Sequence, residues 1–359
     1  MLSTLKLFCA QNSVQVNVQG EPAKVSFDDV KTASEFSVTT PVDRLITRLD
    51  TEPYALSFSG QGYPWSEQLA GAISAGAHSA VSAALEESEA ILAPVADDLQ
   101  PWLPHGFKPL KWANSIGQLP AFELSEAAIS TPGITLAQLA LLDNLRVQGL
   151  DSQAACAHIG HSQGTLATLA STATLTFGQT IALARLIGVA VAAVSRQTGL
   201  IRRGEQGPMV SVSPVVGDKG EAELREIIAE TCGHVDDALR PVVALRNSRD
   251  AVVLVGRPAD NARVIQAFEN AREAAGESAT INPLDVQCGY HHPAQKQAVD
   301  LVKAWAKKCG LPADATLLGA KAVLTDTVDW PERVDDAIQS GAKWILELGP
   351  AGGVAKLTQ

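Results

Sequence analysis

From about residue 53 onward, short apolar runs alternate with long alanine-rich stretches, and this alternation is what most constrains the fold. Tyr54 to Phe58 reads as a strand, 66–96 and 135–148 as helices, Ala154 to Ile159 as a second buried strand and 177–197 as another helix. Strands joined through helices lie parallel, so the sheet is covered by helices on both faces. Residues 1–50 stand apart from this pattern. They carry one alternating stretch, Val14 to Val18, within polar surroundings and read as a leader or adaptor segment.

The rhythm changes at about residue 208. Met209 to Val212 reads as a strand, 219–232 as a helix, Val242 to Leu245 and Val252 to Val255 as a hairpin, 259–274 as a helix and Thr280 to Val286 as a strand. The order βαββαβ is the ferredoxin-like split arrangement, and its size suits an inserted subdomain. The chain then returns through a helix near 293–308 to a last strand, Trp344 to Leu348.

Gly160-His161-Ser162-Gln163-Gly164 falls between a predicted strand and a predicted helix. Two glycines allow a tight turn there, a serine at its apex is held exposed, and the helix N-terminus behind it offers unpaired N–H groups to an anion. Ser162 is the candidate nucleophile, although the same pattern also serves as a plain glycine-bracketed turn with a capping serine. With this elbow the fold class is α/β, with a hydrolase-like parallel-sheet core over 51–205 and 290–359. A ferredoxin-like βαββαβ subdomain is inserted over 206–289.

Phe58-Ser59-Gly60-Gln61-Gly62 ends the first core strand on the same edge of the sheet. Ligands gather at that edge of a parallel sheet. The backbone N–H groups of Gln61 and Gln163 would together form a two-donor oxyanion hole, each donor being worth ~10²–10³ in rate. A serine also needs a base near neutral pH, and histidine suits the task. Among seven histidines, His291 in Tyr290-His291-His292-Pro293 lies where the chain leaves the small subdomain for the large one, and such junctions form clefts. His292 is the alternative. His161 adjoins Ser162, so its side chain points away from the nucleophile and packing is its expected role.

Composition removes whole classes of function. Lys and Arg total 28 against 39 Asp and Glu, a formal charge of −11 without a basic cluster, which argues against nucleic acid as a partner. Cysteines at 9, 156, 232, 288 and 309 form no CxxC pair and read as reduced thiols of a cytoplasmic protein. The cysteine and histidine spacing suggests no metal site. No GxGxxG follows a strand, and no apolar run approaches the ~18 residues of a membrane span.

These motifs, in this order, with Asn247-Ser248 and Glu347-Leu348-Gly349-Pro350, resemble the acyl-CoA:acyl-carrier-protein transacylases of fatty acid and polyketide synthesis. The elbow and Ala184-Arg185-Leu186-Ile187-Gly188 look most like the N-terminal acetyltransferase domain of an actinobacterial type I fatty acid synthase. The resemblance covers roughly residues 40–359. It implies a Ser162–His291 dyad whose histidine is oriented by a carbonyl near Val328-Asp329-Trp330, the segment around Asp329. It sets Asn247, His161 and Ile187 along the substrate. Malonyl-specific relatives carry an arginine 25 residues after the nucleophile, at the place of Ile187 here. Isoleucine cannot bind a carboxylate, and Arg185 is turned away by two helical positions, so the expected substrate is acetyl-CoA. The implied partner is an acyl carrier protein domain of the same multienzyme, whose phosphopantetheine thiol receives the acetyl group by ping-pong transfer. No cofactor is implied beyond the CoA thioester.

Other functions remain open on sequence alone. One is a malonyl or palmitoyl transacylase. Another is an α/β-hydrolase-type thioesterase or esterase, which would need an acidic triad member such as Asp250, Asp260 or Asp285. A third is a silent scaffold domain, since the chain stops soon after its last core elements, as an excised fragment would.

Overall fold

The computed structural model describes residues 3–7, 14–18, 21–25, 41–61, 65–114, 124–349 and 357. Gly62, Pro350 and Cys9 lie outside the described residues. The strands are β1 (Ser3–Leu7), β2 (Val14–Val18), β3 (Glu21–Val25), β4 (Tyr54–Phe58), β5 (Ala157–Gly160), β6 (Met209–Ser213), β7 (Val242–Arg246), β8 (Val252–Val255), β9 (Thr280–Pro283), β10 (Val328–Asp329) and β11 (Trp344–Leu348).

One sheet has the order β3-β2-β1-β11-β4-β5. Its members β1, β11, β4 and β5 are parallel, and β2 and β3 extend it as antiparallel strands. Part of the expected leader thus lies beside β11, with Leu5 opposite Leu346. The second sheet runs β10-β7-β8-β6-β9. Its pairs among β6 to β9 are antiparallel, and β10 joins β7 in parallel. That last strand comes from beyond residue 290, so the second sheet is completed by a piece of the segment assigned by sequence to the core.

The main helices are α1 (Pro41–Leu49), α2 (Trp65–Ala72), α3 (His78–Leu92), α4 (Ala127–Val147), α5 (Gly164–Ser171), α6 (Phe177–Thr198), α7 (Gly217–Cys232), α8 (Pro258–Ala274), α9 (Lys296–Lys308), α10 (Ala313–Leu324) and α11 (Trp330–Gln339). Helix α4 starts eight residues before its sequence-based boundary at 135, running through Pro132 and Gly133. Packing explains this: a Cβ at Gly133 would stand 2.5 Å from the Trp65 ring, so glycine there lets α4 press against α2. Helix α6 is stopped at both ends by side-chain chemistry. Thr176 and Gln179 form a capping box, and Gly199 follows the last turn with φ +78°. It is long and apolar enough to cross a membrane, yet it is a core helix with 83% of its apolar window buried.

Both faces of the large sheet are covered. Leu56, Phe58, Leu136, Leu166 and Ile181 belong to the main core, while Ala55, Ile159, Ile345, Trp330 and Val334 form a smaller cluster. The alternation of Ala55 with Leu56 along β4 follows from the two-residue period of a strand. A separate core of Val210, Leu224, Leu254 and Phe268 lies between the second sheet and helices α7 and α8.

Candidate active site

Strand β5 delivers the chain into a turn that only glycine permits at two points. A Cβ at Gly160 would fall 2.3 Å from the Thr165 nitrogen, and one at Gly164 would fall 2.0 Å from the Phe58 carbonyl oxygen. Between them Ser162 sits in the left-handed region, φ 53°, a conformation that a non-glycine residue holds only where its surroundings enforce it. The His161 N–H donates to the Phe58 carbonyl at 2.8 Å, tying the turn to the end of β4. Ser162 does not cap the helix behind it. Helix α5 begins at Gly164 after Gln163, and the serine hydroxyl turns to a histidine instead.

Ser162 Oγ lies 2.6 Å from His291 Nε2. On the other side of the ring, His291 Nδ1 is 2.7 Å from the Asp326 carbonyl oxygen. A carbonyl only accepts, so Nδ1 carries the proton and donates it, and Nε2 is left as the acceptor for the serine O–H. Both side chains are buried, and His291 also holds a positive φ of 56°. Burial, the largest influence, pushes its pKa down to about 3, and the nearby His161 and Arg333 act in the same direction. The imidazole is therefore neutral at physiological pH.

The orienting carbonyl lies just ahead of the expected Val328-Asp329-Trp330 segment, and Asp329 itself does not supply it. The carbonyl belongs to Asp326, three residues earlier. Asp329 lies in β10, where its carboxylate accepts from the Glu332 N–H at 3.0 Å, capping α11, and pairs with Arg246 at 2.8 Å. His292 is occupied elsewhere: Nδ1 accepts from the Ala294 N–H at 3.1 Å, and Nε2 donates to the Arg240 carbonyl at 3.0 Å.

The Gln61 turn meets the elbow directly, since a Cβ on Gly60 would stand 3.2 Å from Ser162 Cβ. The Gln61 side chain is held on three sides. Its amide nitrogen donates to Thr131 Oγ1 at 3.0 Å and Tyr290 Oη at 2.9 Å, and its oxygen accepts from Ser130 Oγ at 3.2 Å. The Gln163 amide nitrogen donates to the Thr131 carbonyl and, at 3.3 Å, to Thr135 Oγ1. Thr131 thus anchors both glutamines. Among the described residues, no group accepts a hydrogen bond from the Gln61 or Gln163 backbone N–H. Removing the hydroxyl with Thr131→Val is expected to slow covalent labelling of Ser162 by a fluorophosphonate about tenfold while stability drops by only ~1 kcal/mol. Single-turnover kinetics and a thermal melt check this, and an unchanged rate would remove Thr131 from the site.

His161 does more than pack. Its Nε2 lies 2.9 Å from Asn247 Oδ1 on the hairpin of the second sheet, and its ring meets Trp330 edge-on at 5.5 Å. Burial pushes its pKa down to about 4. Ile187 is fully buried in the main core on α6. Arg185 points to α3, with Nη1 2.8 Å from Glu89 Oε1 and 3.3 Å from Ser88 Oγ.

None of the acidic residues that a hydrolase triad would need reaches His291. Asp250 accepts from Ser248 Oγ at 2.7 Å, Asp260 is paired with Arg257 and Arg263, and Asp285 is exposed beside Arg202. No cluster of three or more metal-ligating side chains occurs among the described residues. Sequence reasoning missed Asp326, Thr131 and Arg333. A backbone carbonyl has no side-chain signature, and a threonine ahead of Pro132-Gly133 reads as a loop.

An elbow serine beside a carbonyl-oriented histidine can serve as a nucleophile and its base. Residues 208–279 match the family described as the fatty acid synthase central AT domain. Among solved structures, the chain is similar to malonyl-CoA:acyl carrier protein transacylase from Xanthomonas oryzae pv. oryzae, at 20% identity and a TM-score of 0.63, covering 86% of this chain and 90% of that one. The malonyl CoA-acyl carrier protein transacylase of Coxiella burnetii is similar at 19% identity and a TM-score of 0.64, over 86% and 90%. A malonyl-transacylase solved with its type II polyketide synthase acyl carrier protein matches at 22% identity and a TM-score of 0.60, over 86% and 92%. No curated protein sequence matches the chain. The family match covers 208–279 alone, and the solved structures show that the chain has the transacylase fold.

Proposed function

We propose that the protein is an acetyl-CoA:acyl-carrier-protein S-acetyltransferase that primes fatty acid synthesis through an acetyl-Ser162 intermediate. The observation that carries this reading is the chain of contacts from Ser162 Oγ to His291 Nε2 and from His291 Nδ1 to the Asp326 carbonyl. His291 takes the hydroxyl proton as Oγ bonds to the thioester carbon, and the Gln61 and Gln163 amides receive the oxyanion. The C–S bond then breaks, and the proton held on Nε2 passes to the departing CoA sulfur. A phosphopantetheine thiol on a carrier protein reverses these steps, again with His291 as base.

Burial keeps His291 neutral, with Nε2 free to accept the serine proton. Support for acetyl over malonyl comes from Ile187, which offers no cation at the place where malonyl-specific relatives hold arginine, and from Arg185, already committed to Glu89. A malonyl carboxylate buried there would be left unpaired, at a cost of several kcal/mol. We also read β6 to β9 with α7 and α8 as a ferredoxin-like module over 206–289, set into a hydrolase-like core. The reading places the protein in the cytoplasm, within a multienzyme.

Intact-protein mass spectrometry after brief exposure to acetyl-CoA or malonyl-CoA tests the proposal. The expected result is an acetyl adduct on Ser162 and a much weaker malonyl adduct. Equal malonyl loading would overturn the acetyl assignment, and CoA release without any adduct would point to hydrolysis. Ile187→Arg is expected to raise malonyl over acetyl loading by about an order of magnitude, because a guanidinium pairs with a carboxylate in two parallel hydrogen bonds. A ratio that stays at the wild-type value would show that position 187 does not choose the acyl group.

A further inference from the structure

One charged side chain near the elbow has no place in the scheme above. Arg333 extends from the first turns of α11, and its Nη1 donates both to the Gly160 carbonyl and, at 3.2 Å, to Thr165 Oγ1. Thr165 Oγ1 in turn donates to the Gly160 carbonyl at 3.4 Å. The three groups close a small ring across the two ends of the turn whose apex is Ser162. Gly160 is the residue before His161-Ser162, and Thr165 lies just after the second essential glycine.

A guanidinium in this place is an expensive way to fill space. Arg333 is half-buried, no carboxylate lies within 4.0 Å of it among the described residues, and burial lowers its pKa from the ordinary arginine range. Asp326, Asp329 and Glu332 act on it only from a distance. A partly desolvated cation without an ion pair costs stability, where an apolar side chain of similar length would not. What the arginine offers in exchange is geometric. The two N–H groups of one guanidinium nitrogen, Nη1, reach two acceptors at the two ends of a turn that holds a non-glycine residue at φ 53°.

Its neighbours in sequence point the same way. The Asp326 carbonyl orients His291, Trp330 packs edge-on against His161, and Arg333 grips the elbow, so eight consecutive positions brace both partners of the dyad. The geometry points to Arg333 as a positioning residue that clasps both ends of the elbow and fixes the direction in which Ser162 Oγ is presented to His291 Nε2. This inference rests on the reading of Ser162 as an acylated nucleophile.

The test compares wild type with Arg333→Met, Arg333→Lys and Arg333→Ala in single-turnover acetylation and in labelling by a fluorophosphonate, which reads serine activation without any CoA substrate. Misplacing a reacting group by a fraction of an ångström to an ångström costs up to ~10²-fold in rate. Arg333→Met is therefore expected to slow both reactions by about 10- to 100-fold, with the KM for acetyl-CoA within about threefold of wild type. Arg333→Lys should recover part of the loss, and added guanidinium ion should speed Arg333→Ala. Three results would overturn the inference. They are rates within twofold of wild type in Arg333→Met, a loss carried by KM, or a loss that neither lysine nor guanidinium relieves and that follows a fall in melting temperature. A wild-type protein inert to both reagents would instead remove the nucleophile reading itself.

Discussion

Ser162→Ala will carry no acetyl adduct, and its transfer of acetyl from CoA to a pantetheine thiol will fall by at least about 10⁴-fold. The size follows from how the site is built. Without the hydroxyl there is no covalent intermediate, and His291 could at best activate the acceptor thiol for direct attack in a site shaped for two separate half-reactions. His291→Ala is expected to lose nearly as much, because its Nε2 is the only base at hydrogen-bond distance from Ser162 Oγ among the described residues. The double variant should be no worse than either single one, since residues that act as a unit are not additive. Adducts on Ser162→Ala at the wild-type rate would place the chemistry on another residue. Melting temperatures of both variants should remain near or above wild type, because the left-handed serine and the buried histidine are each held at a cost.

Acidification will lower the protein's stability well above the pH at which carboxylates titrate. His291 and His161 are buried and neutral, with pKa values pushed down to about 3 and about 4 from the ordinary 6.5. Above pH 6.5 both are neutral in the folded and the unfolded chain, and their contribution is fully present. As pH falls below 6.5 the unfolded chain takes up protons that the folded chain refuses, so stability is lost until the folded values are reached. Well below pH 6.5 each such histidine contributes a slope of roughly 1 kcal/mol per pH unit, and the two add. Between pH 6.5 and 5 the loss is about 3 kcal/mol, a sizeable share of the 5–15 kcal/mol that typical domains possess. His158 and His292 are also shifted down by burial and steepen the fall. Urea denaturation from pH 7.5 to 5 reads this directly, and His291→Gln should reduce the slope by about one proton. A stability that stays flat over that range would contradict the burial of the pair.

The features that sequence reveals here are those encoded by residue type at fixed spacing. Gly160 and Gly164 declare themselves because each lies where a Cβ would strike backbone atoms. His291 is legible from its place before Pro293 at the change of module. The strands β4, β8 and β11 appear at their predicted bounds because short apolar runs flanked by polar or glycine residues leave little choice. What sequence hides is whatever the backbone does or a distant partner decides. Asp329 itself does not orient His291 because β10 commits the aspartate to capping α11 and to Arg246, while the useful carbonyl lies just ahead of the strand. The first turns of α4 look like a loop until the Trp65 ring explains Gly133. Likewise β1, β3 and the pairing of β10 with β7 depend on neighbours remote in the chain.

That pairing of β10 limits how the molecule can be cut and reassembled. Val328 and Asp329 stand opposite Leu245 and Arg246, and the next residue in each strand, Trp330 and Asn247, touches the same imidazole from a different side. A chimaera that imports 206–289 from a relative would break this seam at its most sensitive point, leaving a foreign hairpin against a native edge strand. The exchangeable cassette is therefore discontinuous. It must include the short stretch from Asp326 to Arg333, and recombination that respects this junction should keep His161 docked where recombination at 289 alone would set it adrift.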